Sequence, residues 1–348
     1  MRFSDFDQRL TTLGALPVHR GRVMRVWLNG QALDRGTRRR RSEHFLPLAL
    51  REAVPAMTAE LDGLARIRSE HAGKDGSRLL VELADGQMVE SVLLPRDGLC
   101  VSTQVGCAVG CRFCMTGKSG LIRQVTSMEI LAQVVLARRL RAVKKVVFMG
   151  MGEPAHNLDN VLEAITLLGT EGNIGHKNLV FSTVGDRRVF EALPQQRVKP
   201  ALALSLHTTK AELREHLLPR APKIAPEELI ALGEKYARDT GYPIQYQWTL
   251  LKGVNDGDDE LDAIARLLKG KYGVLNVIPF NSLEGDDYQR PDSGRIREIV
   301  LYLQGRGVLT KVRNSAGQDV DGGCGQLRAR AAGAARTVEL HRQPRRKT

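Results

Sequence analysis

Residues 99–117 read LCVSTQVGCAVGCRFCMTG and mark the start of the main domain. The apolar run LCVST is short enough for a buried strand, and a helical pattern begins downstream at Met128. The loop that follows the strand carries three cysteines, Cys107, Cys111 and Cys114, and glycines that let the backbone wrap closely. This stretch therefore predicts a strand, a ligand-bearing loop and a helix.

The same alternation of a short apolar run with a helical pattern continues along the chain. The later runs are VVFMG (146–150), LVFST (179–183), ALALSLH (201–207), IQYQWTL (244–250), LNVIPF (275–280) and VLTKVR (308–313). Such a pattern indicates parallel strands with crossover helices, hence an α/β fold with a partial (β/α) barrel as the core. In a barrel, the carboxyl ends of the strands build the active site.

The sequence predicts four segments. Residues 1–75 are predicted to form a small helical N-terminal accessory domain that binds RNA, and residues 76–95 a β-hairpin extension that turns at Asp85-Gly86. The barrel core is expected over residues 96–327, and residues 328–348 form a basic tail.

Composition and charge indicate the partner. The 348 residues include 52 Lys and Arg against 39 Asp and Glu, a formal net charge of +13 that favours a polyanion. Basic runs at 35–41, 138–145 and the C-terminus favour nucleic acid. No secretory signal or run of about 20 apolar residues is present, so we expect a cytoplasmic protein without a membrane partner.

The five cysteines in this setting favour metal binding or catalysis over a disulfide framework. The spacing C-x3-C-x2-C, with no fourth ligand nearby, suits three corners of a cubane iron-sulfur cluster with one iron left open. The alternatives are a zinc site completed by Cys100, and three cysteines that pack as small hydrophobic side chains.

The C-x3-C-x2-C loop after the first strand of the core is also the signature of radical S-adenosylmethionine enzymes. Together with GMGEP (150–154), FSTVG (181–185), SLH (205–207), IPFN (278–281) and DVDGGCGQL (319–327), it resembles the radical S-adenosylmethionine RNA (adenine) methyltransferases of the RlmN/Cfr family. The resemblance covers roughly residues 78–330.

This resemblance implies one 4Fe-4S cluster bound by Cys107, Cys111 and Cys114, whose open iron chelates S-adenosylmethionine. Reduction then releases a 5′-deoxyadenosyl radical. The implied contacts to S-adenosylmethionine are Gly152, Glu153, Ser182, Ser205, Leu206, His207 and Asn281. Their chemistry is suitable, because a carboxylate accepts from an ammonium while serine and asparagine bind hydroxyls or a carboxylate.

The two remaining cysteines are either ordinary buried thiols or a pair, Cys100 and Cys324, brought together by barrel closure. Adenine C2 is electrophilic and cannot attack a sulfonium methyl group. The resemblance implies a detour in which Cys324 is methylated first and its methylene radical then adds to the base. Cys100 would release the product through a transient disulfide with Cys324, and Glu90 would be the proton acceptor. Without the resemblance, Glu90 is no better a candidate than Glu82.

The implied function is methylation of C2 of adenine in 23S ribosomal RNA and transfer RNA, with flavodoxin or ferredoxin as electron donor to a monomer. The chain departs from the family pattern at Leu121, Gln247, Gly322, Gly323 and the segment 217–223, positions that bear on the substrate. The alternatives are methylation at C8 of a 23S ribosomal adenine, a radical enzyme with another substrate class such as a glycyl-radical activase, and a metal-stabilised RNA-binding module.

Overall fold

The structure is a computed structural model, and it describes residues 1–35, 45–73, 76–118, 120–281, 287–313 and 328. The arginine run at 38–41, the predicted methyl carrier Cys324 and the tail after Arg328 lie outside the described residues.

Three helices form most of the N-terminal segment: α1 (Phe3–Thr12), α2 (Pro17–Leu28) and α3 (Leu48–Gly63). Phe6 and Trp27 on their inward faces belong to the same hydrophobic core as the central sheet. The guanidinium of Arg138 fastens the segment to the main domain, because it donates to the carbonyl oxygens of Leu28 at 2.9 Å and Gly172 at 2.6 Å.

The next strands are antiparallel: β1 (Ala65–Gly73), β2 (Gly76–Leu83), β3 (Met88–Leu94) and β4 (Gly98–Cys100). The hairpin predicted around Asp85-Gly86 is the connection between β2 and β3. Strand β1 differs from the prediction, in which residues 1–75 form a helical segment. It reads ARIRSEHAG, with one side chain buried at its start, so it has no apolar run that would signal a strand.

The main domain alternates strands with helices, as the sequence predicts. The strands that follow are β5 (Gln104–Gly106), β6 (Leu121–Gln124), β7 (Lys145–Phe148), β8 (Leu179–Thr183), β9 (Ala201–Ser205), β10 (Ile244–Leu250), β11 (Gly273–Pro279) and β12 (Thr310–Val312). The helices are α4 (Met115–Lys118), α5 (Ser127–Leu140), α6 (Leu158–Thr170), α7 (Arg187–Ala192), α8 (Ala211–Leu217), α9 (Pro226–Thr240), α10 (Asp258–Leu268) and α11 (Ser293–Gly305). Thr126 and Glu129 cap α5 in a capping box.

The large sheet has the order β1-β2-β3-β4-β7-β8-β9-β10-β11-β12, and its strands are parallel from β4 onward. In a flat sheet, β4 and β12 would lie about 29 Å apart. Instead Cys100 on β4 and Lys311 on β12 line one cavity of about 860 Å³. The sheet therefore curls into a partial barrel, and the predicted fold class is confirmed.

Within the described part of the chain, no helix is both long and apolar enough to cross a membrane.

Candidate active site inside the partial barrel

The cysteine loop is closed on itself by backbone hydrogen bonds. The Cys107 N–H donates to Gly120 O at 2.9 Å, and the Cys114 N–H donates to Cys111 O at 3.0 Å. Gly106 precedes the loop with φ 82°, and a Cβ there would lie 1.9 Å from Gly120 O, so only glycine allows this closure. All three cysteines line the barrel cavity.

The environment of these thiols opposes ionisation in the absence of a cation. Burial raises the pKa of Cys107 to about 12, with the charges of Cys114 and Glu153 adding to the effect, and the pKa of Cys111 is raised for the same reasons. No trio of His, Cys, Asp or Glu among the described residues is placed to hold one metal ion.

Glu153 lies at the end of the GMGEP segment with both carboxylate oxygens anchored. Oε1 accepts from the Ala155 N–H and Oε2 from the Val184 N–H, each at 3.0 Å. Burial raises the pKa of Glu153 to about 7. Gly152 lets the chain pass over Gln104, since a Cβ at Gly152 would lie 2.6 Å from Gln104 Cβ.

His207 is a neutral hydrogen-bond donor at the end of β9. Its Nδ1 accepts from the Thr249 N–H at 3.0 Å, so the ring proton is on Nε2. Burial and the charge of Arg214 lower the pKa of His207 to about 3. The ring meets Phe113 of the cysteine loop edge-on, with 4.9 Å between ring centroids, which fixes the loop against the barrel.

Three more of the predicted cofactor residues line the same cavity: Ser182, Ser205 and Asn281. Leu206 does not join them with its side chain, which is fully buried in the main hydrophobic core. A contact from Leu206 to a cofactor would have to use its backbone.

Arg214 on α8 is a residue that the sequence did not reveal. It is 4% exposed, and its Nη2 donates to the carbonyl oxygens of Val184 and, at 3.2 Å, Ser205. Burial lowers its pKa to about 10, while the nearby Cys111 and Glu153 act in the opposite direction. Its Nε has no hydrogen-bond partner. A buried cation beside the cysteine loop is costly unless a negative charge compensates it. The sequence of α8, AELREHL, gives no sign that Arg214 is buried.

Cys100 and Glu90 lie on neighbouring strands on the same face of the sheet. Cys100 pairs with Val92 across the β3–β4 ladder, and Glu90 is two residues from Val92, so the three side chains point the same way. Glu90 is 1% exposed and accepts from Arg78 Nη1 at 3.0 Å. Its other oxygen accepts from the Arg328 N–H at 3.0 Å, four residues after Cys324 in the sequence.

The structure also distinguishes Glu90 from Glu82 as a candidate proton acceptor, whereas the sequence alone does not. Glu82 forms ion pairs with Arg66 and Arg68, whose side chains are largely exposed. Glu90 is buried among groups that line or border the cavity.

Comparison with known proteins agrees with this site. Residues 101–268 match the Radical SAM superfamily. A probable RNA methyltransferase of Bordetella avium is 87% identical over 99% of this chain and 98% of its own length. A probable RNA methyltransferase of Pseudomonas aeruginosa is 72% identical over 95% of this chain and 96% of its own. The crystal structure of a radical SAM methyltransferase from Sphaerobacter thermophilus has a TM-score of 0.78 at 32% identity, over 94% of this chain and 97% of that one.

The fold and the cysteine loop thus define a radical S-adenosylmethionine enzyme. More narrowly, the chain belongs to the family of its Bordetella and Pseudomonas relatives, which are named probable RNA methyltransferases. Membership of the superfamily implies a 4Fe-4S cluster and S-adenosylmethionine as cofactors.

Replacing Glu153 by glutamine should flatten the pH dependence of stability of the cofactor-free protein. The folded pKa, about 7, is above the ordinary value of 4.5, so the folded state holds this proton more tightly. This tighter proton binding adds about 3 kcal/mol to the free energy of unfolding. The contribution is fully present below pH 4.5 and is lost as pH rises through 7. Urea unfolding between pH 5 and 8 measures it. The exposed Glu215→Gln is the control, and equal pH slopes for Glu153→Gln and the wild type would contradict the assignment.

Proposed function

We propose that this protein methylates C2 of adenine in 23S ribosomal RNA and transfer RNA, with Cys324 as methyl carrier. The observation that carries the proposal is the placement of Cys100 and Glu90 on one face of the sheet, in and beside the cavity that the cysteine loop lines. A thiol and a buried carboxylate at this place suit the two steps that methylation through Cys324 adds, which are release of the sulfur and removal of the ring proton.

The residues present suit the implied cofactors. Cys107, Cys111 and Cys114 would bind the cluster, and Arg214 would offset its negative charge from within the protein. Glu153 would accept from the ammonium group of S-adenosylmethionine, and the Nε2–H of His207 with Ser182, Ser205 and Asn281 would bind its other polar groups. When bound, these cofactors would supply the radical that removes hydrogen from a methyl group.

The chain's own residues carry the remaining steps. The Cys324 thiolate takes a methyl group from one S-adenosylmethionine, which leaves as S-adenosylhomocysteine, and the methylene radical that remains after hydrogen abstraction adds to the base. The resulting adduct radical must give up one electron, for which the cluster would be the acceptor. Glu90 removes the ring proton from the adduct. The Cys100 thiolate then attacks the Cys324 sulfur, the S–CH2 bond breaks, and the freed carbon takes a proton to become the methyl group. The disulfide left behind must be reduced by an external thiol before the next turnover.

The contact between Arg328 and Glu90 supports this scheme. It places the chain four residues after Cys324 beside the proposed proton acceptor. Four residues span at most about 14 Å, which is a short tether for a methyl carrier that has to meet Cys100 and Glu90.

RNA is the proposed substrate because the net charge is +13 and the relatives in Bordetella and Pseudomonas are named probable RNA methyltransferases. The target adenine would have to be unstacked to reach the cavity. We further propose a monomer that works in the cytoplasm and receives electrons from flavodoxin or ferredoxin.

Nucleoside mass spectrometry of ribosomal and transfer RNA from a deletion strain tests the function. Loss of 2-methyladenosine is the expected result. Loss of 8-methyladenosine would transfer the assignment to C8, and unchanged methyladenosines would overturn both.

Replacing Cys100 by alanine should trap the enzyme on its RNA. Without this thiol the S–CH2 bond to Cys324 cannot be released, so a covalent protein–RNA species should accumulate. Gel electrophoresis after treatment with ribonuclease measures it, and mass spectrometry locates the attached adenosine.

Cys324→Ala in the Cys100→Ala background is the matched control and should abolish the covalent species. A Cys100→Ala enzyme that turns over freely would contradict the role of Cys100.

Replacing Arg214 by glutamine should make the bound cluster harder to reduce, because a fixed positive charge stabilises the more negative, reduced state. Arg214→Lys keeps the charge and should stay close to the wild type. Redox titration followed by electron paramagnetic resonance measures the midpoint potential. A glutamine variant with the wild-type potential would show that Arg214 acts only through packing.

A further inference from the structure

Four basic side chains line the cavity where β12 comes round towards β4 and β7: Arg96, Lys145, Lys311 and Arg313. We call this set the basic cleft. Arg96 lies in the turn between β3 and β4, Lys145 begins β7, and Lys311 and Arg313 come from β12 and the residue that follows it. Residues distant in sequence thus bring positive charge to one opening.

The members of the basic cleft are close enough to affect one another. Burial lowers the pKa of Lys145, and the charges of Arg313 and Arg96 lower it further. Arg313 Nη1 lies 3.5 Å from the sulfur of Met149, which directly follows β7. The curl of the sheet therefore creates this charge cluster.

No carboxylate balances these charges in the part of the chain that the structure describes. Acidic side chains on the neighbouring segments are engaged elsewhere, and Glu153, which lines the same cavity, accepts from the Ala155 and Val184 N–H groups. Asp97 pairs with Lys144 at 2.9 Å, and Glu90 pairs with Arg78 at 3.0 Å. Like charges held together in a partly buried opening repel one another, and an anion bound between them would offset that cost.

Arg96 gives independent support for an anion site here. Its backbone is in a conformation that arginine does not favour, so the charge of its side chain is a reason for arginine at this position. Arg96 and Asp97 have φ 56° and 57°, in the left-handed region where asparagine, aspartate and glycine are preferred, within the three-residue turn that joins Leu94 to Gly98. The turn itself would be less strained with asparagine at position 96. The guanidinium is the only feature that arginine adds there.

The basic cleft lies close to the proposed reacting thiol. Lys145 pairs with Gly98 in the ladder in which Cys100 pairs with Val147. Two residues along and one strand across give a separation of about 8 Å between the Cα atoms of Lys145 and Cys100. A single nucleotide is of about this size, so its phosphate could lie at the basic cleft while its base lies at Cys100.

We propose that the basic cleft binds a backbone phosphate of the RNA, next to the adenine presented to Cys100. This deepens the proposed function and rests on it for the choice of RNA as substrate. The phosphate would hold the target nucleotide in register after it leaves its stack, and the basic cleft would contact no base edge.

The test compares the triple variant Arg96→Asn, Lys145→Gln, Lys311→Gln with the wild type and with Lys144→Gln. Lys144 is the matched control, because it adjoins Lys145 but is 75% exposed and paired with Asp97. The probe is bulk transfer RNA bound to the holoenzyme at a series of salt concentrations. The triple variant should bind about tenfold or more weakly, with a slope of log affinity against log salt smaller by about one, as expected for one lost phosphate contact. Lys144→Gln should behave as the wild type.

Equal slopes and affinities for the triple variant and the wild type would overturn the proposal. Inorganic phosphate is the second probe. If it binds the wild type but not the triple variant and stays bound when RNA is added, the basic cleft is a site for a free anion and not for RNA. The proposed function fails separately, if the wild type yields no methyladenosine while RNA binding still depends on the basic cleft.

Discussion

Strand β4, only three residues long, forms hydrogen bonds on both sides, antiparallel with β3 and parallel with β7. This double pairing joins the hairpin strands to the barrel and directs Cys100 into the cavity. A shift of one residue in either ladder would turn Cys100 to the opposite face of the sheet. Ser102 secures the register, since its buried hydroxyl donates to Glu90 O at 2.6 Å and accepts from the Met151 N–H at 2.9 Å.

The same strand register connects the segment that positions Glu153 with the strand that carries Glu90. Met151 belongs to the GMGEP segment that places Glu153, whereas the backbone of Glu90 belongs to the strand that carries the proposed proton acceptor. A single buried hydroxyl thus ties the residues proposed to bind the cofactor to the residues that would handle the base. We expect the separation between these two groups to be fixed by the fold rather than by the ligands.

Charge is distributed unevenly around this cavity, with Arg214 behind its wall and the basic cleft in its lining. Near the cysteine loop, Arg214 is a buried cation whose proposed partner is the negative cluster. At the basic cleft, Lys145 and its neighbours have no acidic partner among the described residues. Both sites retain a cost that an anion would offset. One cavity therefore has two places for negative charge, and the proposed function supplies a different anion for each.

The sequence predicted those features that depend on local pattern. A short stretch of neighbouring residues is enough to recognise each of three features: the alternation of strands and helices, the hairpin at Asp85-Gly86 and the cysteine loop. Strand β1 did not, because it is a polar strand at the edge of the sheet. Arg214 was missed for a related reason, since nothing in its helix shows that the residue is buried.

The run RRLRAVKK shows most clearly what a linear pattern cannot resolve. From the sequence, this run is one of three basic runs that together favour nucleic acid. In the structure, Arg138 is partly buried and donates to backbone carbonyls, Lys144 points outward to Asp97, and Lys145 lines the cavity. Lys144 precedes β7 whereas Lys145 is its first residue, and only the curl of the sheet brings Arg313 to Lys145. A site that forms only when the sheet curls and brings distant strands together cannot be recognised from a short stretch of sequence.

Isotopic labelling gives the most direct test of a methyl group carried by Cys324. RNA would be methylated with S-adenosylmethionine whose methyl group carries three deuteriums. The account predicts that the new methyl group on adenine keeps two deuteriums and gains one hydrogen, while the third deuterium appears in 5′-deoxyadenosine. A methyl group that reaches the RNA with all three deuteriums would show direct transfer from the sulfonium and would contradict the account.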